Sequence, residues 1–319
     1  MERRSVPPPP ILEADSTHRT AESPFDETRF VTGIDGTKLF VRSSQDEPQK
    51  PLRSYFCDGI GCDGFIWKYL FPKIHAITEL SHWHYRGHGR SAFPADAERC
   101  TVEDNAGDLN AVRAELSQSG KKPQGDVLIG HSMGVQVALE AYHRAPQNVK
   151  AMVLLCGSSG KVTHTFRNVP ILEALLPPLS RFVDKYPDVI RAVWSRVPHE
   201  MALKIALKMG DFDSEHFKLE NVLPYMEHMS NVDIPFFLRM LAAAGVHSAE
   251  ANLPAIRVPV LVVAGENDTF TPAWLSRQMA ESIPNAEYLE VKGGSHVSPV
   301  EQPQLVTEHV EAFLRKHLV

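Results

Sequence analysis

The sequence predicts an α/β fold: a mostly parallel sheet flanked by helices and carrying a helical insertion. Three observations predict it. Short runs of strand length alternate along the chain with segments of helical periodicity. Several of these runs are apolar throughout, which is typical of strands buried on both faces of a parallel sheet. One stretch, residues 160–253, contains helical segments without a clear strand. Alternating strands and helices form an open sheet with helices on both faces.

The predicted strands begin with a hairpin and continue as single runs. The first two, 29–32 and 38–42, flank the turn Gly33-Ile34-Asp35-Gly36. The other predicted strands are 54–57, 79–83, 126–129, 151–155, 260–264 and 287–291. The predicted helices between and after them are 102–118, 133–145, 273–282 and 303–317.

The insertion lies between the predicted strands 151–155 and 260–264. Its predicted helical segments are 171–176, 189–196, 201–209 and 235–244, with breaks at Pro177-Pro178, Pro187, Pro198 and Pro224. An insertion at this point would cover the carboxyl edge of the sheet, so we expect a lid whose apolar residues form its own core and line a substrate pocket. The expected organisation is an N-terminal arm (1–28), a core (29–159 and 254–319) and this lid (160–253).

Composition excludes several classes of protein. The chain has 319 residues, of which 43% are hydrophobic and 23% charged, an ordinary balance for a globular protein. Its net charge of -6 gives no basic face for nucleic acid. No apolar run reaches the roughly 18 residues that a membrane span needs. Four scattered cysteines without C-x-x-C spacing predict neither a disulfide scaffold nor a metal site, and favour a reducing cytoplasm.

The first 28 residues are rich in proline and polar residues and contain Pro7-Pro8-Pro9-Pro10. They lack the apolar centre of an export signal, so a surface arm is expected. An arm that packs on a partner subunit is the alternative, and the sequence leaves a monomer and a homodimer open.

The most informative motif is Gly130-His131-Ser132-Met133-Gly134, a G-x-S-x-G pattern. It follows a predicted strand and precedes a predicted helix, which is the setting of a nucleophile elbow. In such a turn the serine hydroxyl stands clear of the backbone. The turn is crowded, and glycines on both sides remove side chains that would collide. Ser132 is therefore the candidate nucleophile.

A serine nucleophile needs a base, and the base needs an orienting acid. Asp268 follows the predicted strand 260–264, and His296 follows the predicted strand 287–291 in a glycine-rich loop. The order Ser132, Asp268, His296 is the order expected for this architecture. Glu266 is a rival for the acid, and fourteen other histidines compete with His296.

An acyl-transfer site also needs backbone amides that bind the oxyanion. The amide of Met133, at the start of the helix after the nucleophile, is one expected donor. The second is expected from the loop after the strand 54–57. Ile60 is the preferred donor there and Gly61 the alternative.

Four segments together resemble the α/β-hydrolase superfamily over residues 29–319: 86–91 (Arg-Gly-His-Gly-Arg-Ser), 130–134, 263–268 and 294–296. The resemblance implies an eight-stranded sheet, a helical cap after the sixth strand, a Ser-His-Asp triad and no cofactor. Two residues depart from the family pattern. Asp58 precedes Gly59 where the family usually has His-Gly, and His84 stands where the family usually has Asp. We expect the two to have exchanged places and to share one charge-assisted hydrogen bond.

These observations favour ester hydrolysis through an acyl-enzyme, with small to medium, largely apolar esters as substrates. Lactones, thioesters, carbon–carbon bonds and perhydrolysis use the same machinery and stay open as alternatives. Ser132 argues against a dehalogenase or an epoxide hydrolase, which would carry Asp at that position. The alternative of a different class is a small-molecule receptor that retains the pocket without turnover.

Overall fold

The computed structural model describes residues 24–44, 50–118, 123–160, 162–165, 171–194, 196, 212–213 and 215–319. These residues form one eight-stranded sheet with the strand order β1-β2-β4-β3-β5-β6-β7-β8. The strands are β1 (Glu27–Thr32), β2 (Lys38–Ser43), β3 (Leu52–Cys57), β4 (Glu79–Trp83), β5 (Gly125–His131), β6 (Val149–Leu155), β7 (Val260–Gly265) and β8 (Ala286–Val291). Pairing is antiparallel for β1 with β2 and for β2 with β4, and parallel elsewhere. The predicted mostly parallel sheet is confirmed.

Helices follow the strands in the predicted alternation. The described helices are α1 (Leu70–His75), α2 (Val102–Gln118), α3 (Met133–Arg144), α4 (Val162–Thr165), α5 (Ile171–Lys185), α6 (Pro187–Trp194), α7 (Leu219–Ser230), α8 (Ile234–Val246), α9 (Ala273–Ser282), α10 (Ser298–Glu301) and α11 (Pro303–Leu318). The four helices predicted around the sheet agree with α2, α3, α9 and α11 to within one residue at each end. The short helices α1 and α10 carry too few residues for a periodic pattern and were not predicted.

Apolar side chains fill both faces of the sheet. One core packs the sheet against α2, α3 and α9, and the other packs it against α1 and α11. Strands β3, β5 and β7 are buried along their whole length, which explains the apolar runs 55–57, 127–129 and 260–264 within them. Because β3, β5, β6, β7 and β8 are parallel, the loops that follow them meet at one edge, and this edge carries the predicted site.

Helices α4 to α8 make up the insertion between β6 and β7. Its two ends meet in a bridge between Gly160 and Ser248, and the amide of Ala249 donates to the carbonyl of Ser159 at 2.7 Å. The insertion therefore leaves the sheet and returns to it at one point.

Two of the predicted helix breaks in the insertion are wrong. Helix α5 continues through Pro177 and Pro178, and α7 continues through Pro224. Proline has no amide hydrogen, so each proline leaves one carbonyl in the preceding turn without its helical partner. Pro177 and Pro178 are exposed, so water can reach those carbonyls. The predicted helix 201–209 and the break at Pro198 lie outside the described residues.

The described chain begins beside the edge of the sheet. Strand β1 starts at Glu27, so the last two residues of the expected arm belong to the sheet, while residues 1–23 lie outside the described part. Phe25 packs edge-on against Phe71 of α1, with ring centroids 4.9 Å apart. Within the described ranges, no helix is both long and apolar enough to cross a membrane.

Candidate active site

Ser132 occupies a strained turn between β5 and α3. Its φ of 55° and ψ of -122° lie outside the regions that side chains favour. A Cβ atom placed on Gly130 would come 2.3 Å from the carbonyl oxygen of Gly134, and one placed on Gly134 would come 2.0 Å from that of Cys57. The predicted need for glycine on both sides is confirmed. The amide of Ser132 donates to Leu155 at 3.0 Å, which ties the turn to the end of β6.

Asp268 and His296 form a hydrogen-bonded pair at the same edge of the sheet. Nδ1 of His296 lies 2.8 Å from Oδ2 of Asp268, whose side chain is fully buried. The Asp268 carboxylate also accepts the amides of Phe270 and Thr271 and the hydroxyl of Thr271, each at 2.8 Å. Because Nδ1 of His296 donates to Asp268, its Nε2 carries the lone pair that a general base needs.

The rival acid Glu266 points elsewhere. It is exposed, and its Oε2 accepts the amide of Gly293 at 2.9 Å.

Close contact between the loops after β7 and β8 brings Asp268 and His296 together. A Cβ atom placed on Gly265 would lie 2.3 Å from the carbonyl oxygen of Ser295, and the amide of Asn267 donates to Gly294 at 2.9 Å.

The loop after β3 turns back beside the elbow. The amide of Cys62 donates to the carbonyl of Gly59 at 3.2 Å, and Gly61 has a φ of 70°, as the third residue of a type II turn requires. A Cβ atom placed on Gly59 would lie 3.1 Å from Cβ of Ser132. The turn Gly59–Cys62, called the oxyanion turn below, is thus in contact with the candidate nucleophile.

The oxyanion turn leaves one candidate amide for a ligand. The amide of Gly61 donates to Nε2 of His88 at 3.2 Å. Within the described part of the chain, the amides of Ile60 and Met133 have no hydrogen-bond acceptor from the protein. The geometry therefore favours Ile60 over the alternative Gly61, with Met133 as the partner donor.

The expected hydrogen bond between Asp58 and His84 is wrong. Oδ1 of Asp58 accepts the indole N–H of Trp67 at 2.5 Å, and Oδ2 lies 2.8 Å from Nε2 of His82. Nδ1 of His84 instead accepts the amide of Arg90 at 2.9 Å. The parallel register pairs Phe56 with His82. Asp58 lies just beyond the end of β3, and its side chain reaches back to His82.

Two helices of the insertion lie over the oxyanion turn. A Cβ atom placed on Gly61 would meet Sδ of Met229 in α7 at 2.5 Å and a ring carbon of Phe237 in α8 at 3.2 Å. On the other side of the site, the ring of Phe270 lies 5.0 Å from the ring of His296 and is half-exposed. Apolar groups therefore border the site on both sides.

Helix α7 is fixed to both loops that flank the site. The buried Asn221 accepts Lys68 Nζ at 3.0 Å and the hydroxyl of Tyr69 at 2.9 Å, and its amide group donates to Val300 at 2.9 Å. One side chain thus connects the insertion to the segment after the oxyanion turn and to the segment after His296.

Two supporting residues were not identified from the sequence. Glu301 accepts the amide of Ser295 at 3.0 Å and its hydroxyl at 2.8 Å, which braces the residue before His296. His131 contacts the carbonyl of His296 through Nε2 at 2.9 Å, and burial lowers its pKa to about 3, so it donates as a neutral imidazole. Neither has a sequence signal, because the His131 contact joins residues 165 positions apart and the Glu301 contact, six positions apart, follows neither a helical nor a strand period.

A model of the alpha/beta hydrolase family matches residues 59–309. The chain belongs to the alpha/beta hydrolase family. It is therefore a hydrolase, as the resemblance of its motifs implied.

The chain is similar in sequence or in structure to several other hydrolases. It is 26% identical over 250 residues to a putative carbamate hydrolase, RutD, of Klebsiella pneumoniae (strain 342), covering 76% of this chain and 83% of that one. A thermophilic esterase from Thermogutta terrifontis superposes with a TM-score of 0.71 at 20% identity, over 92% of this chain and 100% of that one. The enol-lactonase from Burkholderia xenovorans LB400 superposes with a TM-score of 0.69 at 20% identity, over 90% of this chain and 100% of that one. The two structures establish the fold.

Proposed function

We propose that this α/β hydrolase cleaves carboxylic esters with Ser132 as nucleophile, His296 as general base and Asp268 as the orienting acid. One observation carries the proposal: a strained elbow serine and a buried Asp–His pair share one sheet edge, and two amides without an acceptor lie beside the serine, one in the next residue and one in the oxyanion turn. These are the parts that acyl transfer needs.

The proposed mechanism begins with proton transfer from the Ser132 hydroxyl to Nε2 of His296 as the oxygen attacks the acyl carbon. Asp268 holds the ring in the required tautomer and favours its charged form. The amides of Met133 and Ile60 stabilise the oxyanion of the tetrahedral intermediate. His296 then protonates the leaving alcohol, and water releases the acid from the acyl-enzyme by the same steps.

The substrate class follows from the groups around the site. Met229, Phe237 and Phe270 border it with apolar surface, which favours small to medium, largely apolar esters. The insertion 160–253 acts as the lid that selects among them, over a core of residues 29–159 and 254–319. Residues 1–28 serve as an N-terminal arm, of which the last two lie in β1. The four buried free cysteines support a reducing, cytosolic location.

The test is hydrolysis of p-nitrophenyl esters of graded acyl length, with a lactone, a thioester and a carbamate in the same panel. Ser132→Ala should lower turnover by more than about a thousandfold, because the nucleophile is lost. The control Ser117→Ala changes a half-buried serine on α2 whose hydroxyl donates to the carbonyl of Ala114, and it should leave turnover unchanged. Near-normal turnover by Ser132→Ala would contradict the proposal. Single-turnover behaviour of the wild type, with a bound but unconverted ester, would favour the receptor.

A further inference from the structure

Two buried imidazoles that belong to neither the triad nor the turn contact the oxyanion turn and the residue before it. His82 lies on β4 and contacts Asp58, the residue before the turn. His88 lies in the loop after β4 and contacts Gly61, inside the turn. Both rings are almost completely buried.

The contact before the turn is part of a chain of side chains. Nε of Arg42 donates to Nδ1 of His82 at 3.0 Å, so Nε2 of His82 carries the proton and donates to Asp58. The indole of Trp67 donates to the other carboxylate oxygen at 2.5 Å. The hydroxyl of Tyr85 donates to the backbone carbonyl of Asp58 at 2.8 Å. Both ends of this residue, side chain and carbonyl, are thereby fixed.

The contact inside the turn requires a neutral ring. Nδ1 of His88 donates to the carbonyl of Arg86 at 3.1 Å, which leaves Nε2 as the acceptor for the amide of Gly61. A protonated ring would present a second N–H to that amide and lose the contact. Burial lowers the pKa of His88 to about 4, and the hydrogen bond to the carbonyl of Arg86 opposes this only in part.

We propose that Asp58 and His88 are positioning residues that orient the oxyanion turn so that the amide of Ile60 faces the oxyanion. This inference rests on the proposed acyl transfer at Ser132. His88 holds the Gly61 amide, and so leaves the neighbouring amide of Ile60 for the ligand. Asp58 fixes the point at which the turn leaves β3.

The test compares His88→Gln with His88→Asn, two neutral polar variants of similar size. The Gln oxygen reaches the position of Nε2 and can accept the Gly61 amide, whereas the shorter Asn reaches only the position of Nδ1. His88→Asn should lower kcat about tenfold to a hundredfold with KM within about twofold, the signature of a weakened oxyanion contact. His88→Gln should stay within about threefold of the wild type.

Asp58→Asn, assayed at pH 8 where the Asp58 carboxylate is ionised, provides a second arm, because an amide can accept from only one of the two donors, Trp67 and His82. We expect a similar loss in kcat. The control Asp126→Asn weakens the buried Arg113–Asp126 pair at the opposite end of β5 and should lower stability without changing kcat. The rate at which a fluorophosphonate labels Ser132 should follow the same order of variants.

The inference would be overturned if folded His88→Asn had the same kcat as the wild type. Equal losses of kcat in His88→Asn and His88→Gln would also overturn it. So would a loss of kcat in Asp126→Asn as large as the loss in the His88 variants. If Asp58→Asn does not fold, the His88 pair decides alone. A wild type that neither hydrolyses esters nor reacts with fluorophosphonate would overturn the proposed function, and the inference with it. Wild-type activity with unaffected variants would overturn the inference alone.

Discussion

The carboxyl edge of the sheet and the helical insertion both border the candidate site, but they are built differently. At the sheet edge, buried strands and short loops hold each functional group by several hydrogen bonds, as the four donors to the Asp268 carboxylate illustrate. In the insertion, α5 and α6 expose large apolar side chains, among them Leu179, Phe182 and Val193. We therefore propose that the sheet edge carries the chemistry and that the less buried helices of the insertion select the substrate.

The largest expected effect breaks the sheet-edge machinery. Asp268→Asn should lower kcat about ten-thousandfold, because an amide that donates to Nδ1 would stabilise the wrong tautomer of His296. Glu266→Gln is the matched control and should stay within about twofold of the wild type, since Glu266 is exposed and contacts Gly293. Steady-state ester hydrolysis measures both. Comparable losses in the two variants would show that the acid is not assigned correctly.

The next comparison concerns stability. Leu154 in β6 is completely buried, whereas Leu179 in α5 is 43% exposed. Leu154→Ala should lower the free energy of unfolding by about 2–5 kcal/mol through a cavity in the core. Leu179→Ala should change it by less than about 0.5 kcal/mol. Urea unfolding measures both. A large loss in Leu179→Ala would mean that the insertion is as tightly packed as the core.

Acid should destabilise the sheet edge. Burial holds the pKa of His88 at about 4 and that of His131 at about 3, and lowers those of His82 and His84. The unfolded chain binds these protons near pH 6.5, so their contribution to stability is present above that pH and is lost as the pH falls toward 4.

Three buried acids act in the opposite direction in this window. Burial raises the pKa of Asp58 to about 7, that of Asp108 to about 6 and that of Glu301 above its ordinary value, so the folded state takes up their protons first. The four histidines outnumber them, and Tm should fall by several degrees between pH 7 and pH 5. His88→Gln should reduce that fall because it removes one of the histidines. An unchanged or higher Tm at pH 5 would contradict this prediction.

The smallest expected effect lies in the insertion. Phe237→Ala opens space over Gly61, so kcat/KM should shift toward longer acyl chains by about tenfold, the discrimination that one methylene gives in an apolar pocket. Phe182→Ala, which changes an exposed ring on α5, is the control and should leave the acyl preference unchanged. The graded ester panel measures both. An equal shift in the two variants would mean that α8 does not border the acyl group.

The sequence was informative where function depends on local pattern. Ser132, Asp268 and His296 each follow a strand with glycine nearby, and parallel strands place such positions at one edge. The hydrogen bond that His82 donates to Asp58 could not be predicted, because His82 in β4 and His84 just after it are two residues apart and only the strand register decides between them. The continuation of α5 through Pro177 and Pro178 was equally unpredictable, since it depends on solvent access to the freed carbonyls.

The most direct test of the central claim is to trap the acyl-enzyme. Wild-type protein is mixed rapidly with p-nitrophenyl acetate and quenched in acid, and its peptides are mapped by mass spectrometry. The proposed mechanism predicts an acetyl group on the peptide that contains Ser132, and no acetylation of that peptide in Ser132→Ala. Rapid turnover with no acetyl group on Ser132, or with one on another residue, would contradict the assignment of Ser132 as the nucleophile.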